Sequence, residues 1–594
     1  MFNKYPVNPV RRETFTAAPL AQGYDAVCRK MLDYIHGQSD SPACIVIDGT
    51  HGAEFQSLVR QAVALMEREG RKVNVQSTAG FLLSGEQLRE QFAGNITDNR
   101  AFGYVVEGAI ADYFRVNARA EAAKRMDEGD AAEVQLLFGP GAHWLAGGRE
   151  ALVLYADVSR EYQQVEHKKQ LLNFGMTWNK DAVEKYKICY FVEWPILENY
   201  RKALWPSMHY YIDMNQPSHP VIVSGEHLQR MIKDIALSPL RVKPFFAPGV
   251  WGGQYLKELA DLPKEWVNCA WGFEPIAPEN SILIGCGEDR IEVPFLIVMA
   301  LEYEAIMGAR AVSLFGDYFP VRFDFLDTMD GDNLSCQVHP KQEYVRETFN
   351  EFMTQQESYY IMDLKNDAKV YLGMTEGTTK EQFLEAVEGA QESGVPMAFT
   401  NYVNEWNAKK GDLFLIPPGT VHCSGKDNLV LEISSTTWWF TFKIYDYLRK
   451  DLDGKPRPIN VDHGFRNIDF DKTTEWVKDN LIPEPRLVER QGDNEEYGLG
   501  ERDDLLFYVN RVHLQTVWHA NTNGEFVMYN LVEGERVRIV SCKDESVFVE
   551  LDYAESYIIP SVFGAYKIVN MTDAPCKLVK AGVSSAWDVS LLDG

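Results

Sequence analysis

The spacing of apolar residues changes character along this chain. In the first third, short apolar runs alternate with stretches of helical period. Residues 41–52, SPACIVIDGTHG, predict a buried strand ending in a glycine turn. The following AEFQSLVRQAVALMEREG repeats its apolar residues at helical spacing and stops at a glycine, which predicts a helix. YVVEGAIADYF, EALVLYADVSREYQQVEHKK and YKICYFVEWPILENYRK each read as a strand followed by a helix. Together these pieces predict an α/β domain with a parallel sheet. Asp157 and Glu193 fall at predicted strand ends, where such folds bind ligands. The turn residues of NQPSHPVIVSG, 215–225, end this domain, and the helix EHLQRMIKDIAL leads out of it.

From Arg241 onward the pattern turns to short strands and aromatic runs. SILIGC, IEVPFLIVMALEY and ARAVSLFG predict strands with a helix or two among them. In VRFDF, alternation places Arg322 and Asp324 on one face. In LSCQVHP, Gln337 and His339 are two apart and share a face. Glu357 opens a second predicted strand, ESYYIMDL, and a mostly helical insertion is expected between Asp363 and Gly411. GDLFLIPPGTVHCSG then predicts a strand, a Pro-Pro-Gly turn and His422. NLVLEISSTTWWFTFKIYDYLRK reads as one long strand whose alternation puts Lys443 inside a barrel or at its rim. After a polar connection, LLFYVNRVHLQTVWH opens a run of alternating strands that predicts a β-sandwich or jelly roll.

Candidate chemistry lies in the middle of the chain. Gln337, His339, Glu357 and His422 offer two imidazole nitrogens and two oxygens from three separated segments. That donor set suits Zn2+ or a similar divalent ion, with room left for water or substrate. His513 and His519 lack a following glutamate and a PxGxxH-like return, so they are read as non-ligands.

Composition narrows the setting. A chain of 594 residues is too long for one hydrophobic core. With 45% apolar and 24% charged residues it matches ordinary globular proteins. No apolar run approaches the roughly 18 residues that span a bilayer, and MFNKYPVNPVRRETF has no signal-peptide core. The nine cysteines contain no CxxC, as expected of reduced thiols in a cytoplasmic protein. A net charge of −27 argues against a nucleic-acid partner. The oligomeric state is left open.

QVHP, a glutamate eighteen residues beyond its histidine, PPGTVH and LEIS…IYDY resemble the type I mannose-6-phosphate isomerases. The upstream FFAPGVWGGQYL and NCAWGFEPIAPENSILIG resemble that family too, so the likeness covers residues 237–594 in the family's order. The resemblance implies a cupin with a zinc site at Gln337, His339, Glu357 and His422, and a second cupin-like domain at the C-terminus. It implies an aldose–ketose isomerase that interconverts mannose 6-phosphate and fructose 6-phosphate through an enediol. It places Ser335 in the phosphate-binding region. Trp251, before Gly252 and Gly253, either packs under the barrel mouth or meets the sugar.

The chain departs from the family around the metal. Gln355 stands where the family has a lysine two residues before the zinc glutamate. Lys443 replaces an arginine before the IYDY-like segment, and Asp324 replaces a lysine in the strand leading to QVHP. Lys341 and Gln342 replace the acidic pair after VHP. Arg322, Lys341 and Lys443 are therefore the candidates to restore positive charge near the reacting sugar. The base is left open among water on the metal, Lys341, Glu343 and His422. Two other readings stand beside isomerisation of the phosphate: a non-phosphorylated sugar, and a regulatory cupin that binds sugar without turnover.

The N-terminal third resembles a nucleoside-kinase-type P-loop fold, IDGxxGxxxxxL. Phe55 and Gln56 stand where that loop needs Lys and Ser/Thr, and Glu54 beside them repels phosphate. A degenerate, scaffold-like P-loop domain is expected over 1–236, the metal-binding cupin over 237–500 and the C-terminal cupin-like domain over 501–594.

Overall fold

The computed structural model describes residues 2–592 except 12–14, 16–17, 39–41, 129–131, 451–456 and 458. The chain forms two compact units. One comprises Val7–Ile235 and Ser281–Leu301; the other comprises Met1–Pro6, Ala236–Asn280 and Glu302–Gly594. Ser281–Leu301 thus leaves the chain around it to join the first unit. Its strand Ser281–Cys286 pairs in parallel with Val7–Pro9 and turns back as Asp289–Pro294.

The first unit is built on a seven-stranded sheet. Val73–Ser77, Val134–Phe138, Ala43–Gly49, Leu152–Asp157 and Tyr210–Asp213 lie side by side in that order, all parallel. Val221–Ser224 and Ala21–Gln22 extend it as antiparallel strands. The helix Phe55–Arg68 buries Leu58, Val59, Ala62 and Met66 in a core with Ile45 and Ile47 of the central strand. Gly49 is required by packing: a Cβ there would sit 2.0 Å from the Ala156 carbonyl oxygen of the next strand.

Two predicted strands are not strands. Residues 104–109 have no regular structure, and 182–204 run as helix Ala182–Ile188, a π-helical turn Cys189–Glu193 and helix Trp194–Leu204. A short apolar run such as ICYFV suits a buried helix as well as a strand. Asp181 settles it locally, because its carboxylate accepts from Val183 N–H and Glu184 N–H and so caps a helix start. Glu193 is therefore a helical residue, not a strand end. The sheet takes Val134–Phe138 and Tyr210–Asp213 instead.

Among the described residues, the second unit contains four antiparallel sheets. One six-stranded sheet runs Leu413–Ile416, Glu357–Leu364, Asn428–Ser435, Val321–Asp327, Trp271–Phe273, Phe245–Ala247. A five-stranded sheet runs Val403–Asn407, Lys369–Met374, His422–Ser424, Cys336–Val338, Phe442–Tyr445. The predicted helical insertion is smaller than its span suggests, since strands occupy both of its ends and only Lys380–Ser393 is α-helical. The predicted long strand after Asn428 breaks after Ser435 and resumes at Phe442 in the other sheet. Simple alternation cannot be carried across that break. The C-terminal stretch adds a six-stranded sheet from Arg486 to Val583 and a four-stranded sheet within it.

Within this unit, Arg241 is almost fully buried between two carboxylates. Its Nε donates to Glu274 at 2.5 Å and its NH1 lies 2.7 Å from Glu555. Burial pushes the Glu274 carboxyl up, to about 7, against the pull of Arg241. Arg241→Ala leaves both acids buried without their cation. We expect it to cost roughly 3–5 kcal/mol of stability, read as a shifted denaturant midpoint, whereas Glu274→Gln should cost less.

Candidate metal centre

Strand register explains how the central residues meet. Gln337 lies directly opposite His422 on one side and Lys443 on the other, so these three side chains share one face of the five-stranded sheet. On the six-stranded sheet, Asp324 lies opposite Glu432, and Glu432 opposite Tyr359. Arg322, Asp324, Glu432, Tyr359 and Glu357 therefore line one face there. The Pro-Pro-Gly turn, with Gly419 in the left-handed region at φ 81°, returns the chain so that His422 stands beside His339.

The ligand atoms converge. His339 Nε2 is 2.5 Å from Glu357 Oε2, and His422 Nε2 is 2.9 Å from the same oxygen. All three residues are buried. His339 Nδ1 faces the Phe440 carbonyl at 3.3 Å and His422 Nδ1 faces the Thr420 carbonyl at 2.9 Å. A carbonyl only accepts, so each Nδ1 carries the proton and each Nε2 offers its lone pair inward. The Gln337 amide is 3.2 Å from His422 Nε2, and turning it about its last bond presents Oε1 at the same place. Burial pulls the His339 imidazole below its usual range, which keeps its Nε2 lone pair available. Two inward imidazole nitrogens, one carboxylate and one amide oxygen fit a zinc-class ion.

The groups around this cage are arranged less simply. Arg322 is buried and fully engaged. Its Nε donates to Ser435 O at 2.9 Å, its NH2 to Glu432 at 2.6 Å, and its NH1 lies 3.2 Å from Asp324. Turned about its last bond, the Gln355 amide would accept from Arg322 NH2 at 2.8 Å and donate to Trp438 O at 3.2 Å. Burial, with Asp324 and Glu357 close by, raises the Glu432 carboxyl well above its usual range. Lys443 is half-buried beside Gln337, while the Lys341 side chain is exposed and its backbone N–H donates to Asn467. Trp251 is buried edge-on against Trp271.

Ser335 donates to Asp446 at 2.9 Å and accepts from Arg457 NH1 at 3.1 Å. Arg457 also reaches Asp446 at 2.7 Å, and its Nε is buried with no hydrogen-bond partner among the described residues. Sequence reasoning passed over Arg457, which sits in a polar stretch with no pattern to flag it. It also passed over Glu432 and Lys472. Lys472 is buried and donates to Pro418 O at 2.7 Å and to Thr420 Oγ1 at 3.0 Å, beneath the turn that carries His422.

In the first unit, the glycine turn after Ala43–Gly49 is filled by its own side chains. Asp48 accepts from the N–H groups of Gly49, Gly141 and His143 and from Tyr200. Glu54 accepts from Ser57 N–H and so occupies a donor of the helix N-terminus.

Known proteins resemble both parts. A family described as a domain of unknown function, DUF8485, matches residues 23–237. Mannose-6-phosphate isomerase ManA of Bacillus subtilis is 26% identical over 331 residues, covering 56% of this chain and 95% of that protein. Mannose-6-phosphate isomerase of Streptococcus mutans is 28% identical over 228 residues, 38% of this chain and 66% of that protein. The solved mannose 6-phosphate isomerase from Bacillus subtilis matches 58% of this chain and all of its own (100%), at 20% identity and a TM-score of 0.47. The two sequence relatives relate the chain to the phosphomannose isomerases. No helix among the described residues is long and apolar enough to cross a membrane.

Proposed function

We propose that the second unit is an aldose–ketose isomerase that interconverts mannose 6-phosphate and fructose 6-phosphate. The convergence of His339, Glu357 and His422 on one buried point, with Gln337 beside them, carries this reading. The names of the relatives support the same reaction. Gln337, His339, Glu357 and His422 would hold a zinc-class ion, which supplies Lewis-acid polarisation of the sugar oxygens.

The chain's own groups supply the rest. Lys443, on the face of Gln337, is the cation we assign beside the developing enediolate. Arg322 acts from within the wall, holding Asp324 and Glu432 as a fixed charge pattern. We assign the phosphate to Ser335 and Arg457, whose bare Nε is a donor in want of an acceptor. Lys341 is placed at the rim, free to approach the sugar from solvent. The N-terminal unit, in this reading, is a degenerate P-loop scaffold without phosphotransfer, since Glu54 and Asp48 already occupy the donors a phosphate would use.

A neutral sugar is the second reading. It is favoured by Asp446, a carboxylate already seated on Ser335 and Arg457. Incubating zinc-loaded protein with mannose 6-phosphate and with mannose, and following fructose 6-phosphate and fructose separately, decides between them. We expect turnover of the phosphate. Arg457→Ala should then raise KM for the phosphorylated sugar by about 10- to 100-fold, the worth of one charge-assisted hydrogen bond. Turnover of mannose alone would replace this proposal with the neutral sugar, and turnover of neither by zinc-loaded protein would leave a sugar-binding regulator.

A further inference from the structure

A second cluster of metal-ligating side chains lies in the first unit, and none of the chemistry above uses it. His167 comes from the helix Arg160–Lys169; Cys189 and Glu193 open and close the π-helical turn. That turn has a local cause. Pro195 has no N–H and its ring crowds the carbonyl four residues back, at Phe191. The helix widens there, and the freed Phe191 carbonyl accepts from Val106 N–H at 2.9 Å instead.

The three side chains are buried, and their ligand atoms lie within 4.8 Å of one another. His167 Nδ1 faces the Leu171 carbonyl at 3.1 Å, which fixes the proton there. Its Nε2 therefore points a lone pair at Cys189 Sγ, 3.5 Å away. Glu193 Oε2 accepts from Phe174 N–H at 2.9 Å and from the Asn173 amide at 3.2 Å. Glu193 Oε1 is fully buried and has no hydrogen-bond partner among the described residues. The Tyr113 hydroxyl is in the same condition, and Tyr113 is near enough to Glu193 and Cys189 for their charges to act on it. Asn173 also donates to Cys189 Sγ at 3.0 Å. Lys185 turns its ammonium to the His167 carbonyl at 2.8 Å.

An orphaned carboxylate oxygen, an inward imidazole nitrogen and a sulfur together lack one thing, a positive centre between them. We propose that His167, Cys189 and Glu193 bind a zinc-class divalent ion that pins the π-helical turn to the neighbouring helix. Imidazole, thiolate and carboxylate are the donors such an ion takes, and the thiolate excludes magnesium and calcium. On binding, the Cys189 proton passes to solvent. The Tyr113 hydroxyl or a water takes the fourth position. Burial of all three ligands makes the site structural, with no room for a sugar.

Cobalt separates this site from the sugar-isomerase site, which has no sulfur donor. The full-length chain purified from cobalt-supplemented cells should show a thiolate-to-cobalt charge-transfer band in the near ultraviolet. His339→Ala should keep that band, and Cys189→Ser should lose it along with bound metal. Absence of the band in the wild-type chain, or its persistence in Cys189→Ser, overturns the proposal and leaves a polar cluster balanced by Lys185. The wild-type spectrum decides even if the cysteine variant fails to fold, and none of these readouts depends on sugar turnover.

Discussion

Replacing His339 with alanine is expected to strip zinc from the second unit and abolish sugar turnover. His339 Nε2 sits 2.5 Å from the Glu357 oxygen that also faces His422, so its loss removes a donor from the centre of the cage. Disturbing only the partners of metal ligands costs about 10- to 100-fold in affinity or activity, and removing a ligand should exceed that range. The change also acts on the metal-free protein. Glu357 is buried and packed against both imidazoles. Taking one imidazole away leaves a cavity where a fully buried ring stood, worth roughly 3–5 kcal/mol. Metal analysis, turnover and a denaturant midpoint on the same preparation should therefore all fall. Turnover that survives in metal-free His339→Ala protein would sink the zinc mechanism. Full zinc retention would move the ligand set elsewhere.

The residues that converge here are legible in sequence because each sits in a strand with clear alternation or beside a proline turn. Gln337 and His339 are two apart, and Glu357 opens a run of β-branched and aromatic residues. What surrounds the cage depends on pairing between distant strands, which periodicity does not encode. Arg322 reads as a free cation in VRFDF, yet Asp324 shares its face and Glu432 arrives from a strand about a hundred residues later. A single alternation through residues 428–445 puts Lys443 inside a barrel or at its rim. The chain breaks at Ser435 and changes sheets, so its position follows from pairing with Gln337 instead. In the first unit the strand content was legible as a class but not in its members. ICYFV is apolar without a period, and only the Asp181 cap and Pro195 show that it is helix. Ser281–Leu301 carries strand patterning that cannot say which unit the strands join.

Lys472→Met is expected to weaken zinc binding by about 10- to 100-fold without weakening the fold. The Pro417–Thr420 turn ties both histidines in place. Gly419 N–H donates to the His339 carbonyl at 2.9 Å, and the Thr420 carbonyl takes His422 Nδ1 at 2.9 Å. Lys472 pins that turn from below through Pro418 O and Thr420 Oγ1. Methionine fills similar volume and makes neither bond, so the imidazoles lose their fixed aim. Stability follows a different rule. Burial lowers the Lys472 ammonium from 10.5 to about 8. Carrying that ammonium into the fold corresponds to roughly 3 kcal/mol against folding at neutral pH. The unfolded chain holds the proton between pH 8 and 10.5 more readily than the folded one. The wild-type protein should therefore gain stability as pH rises through that window, and the methionine variant, spared the cost, should not. Chelator competition at pH 7 and denaturation from pH 7 to pH 10.5 read the two effects separately. Unchanged zinc affinity in Lys472→Met would mean that the turn aims His422 without its lysine.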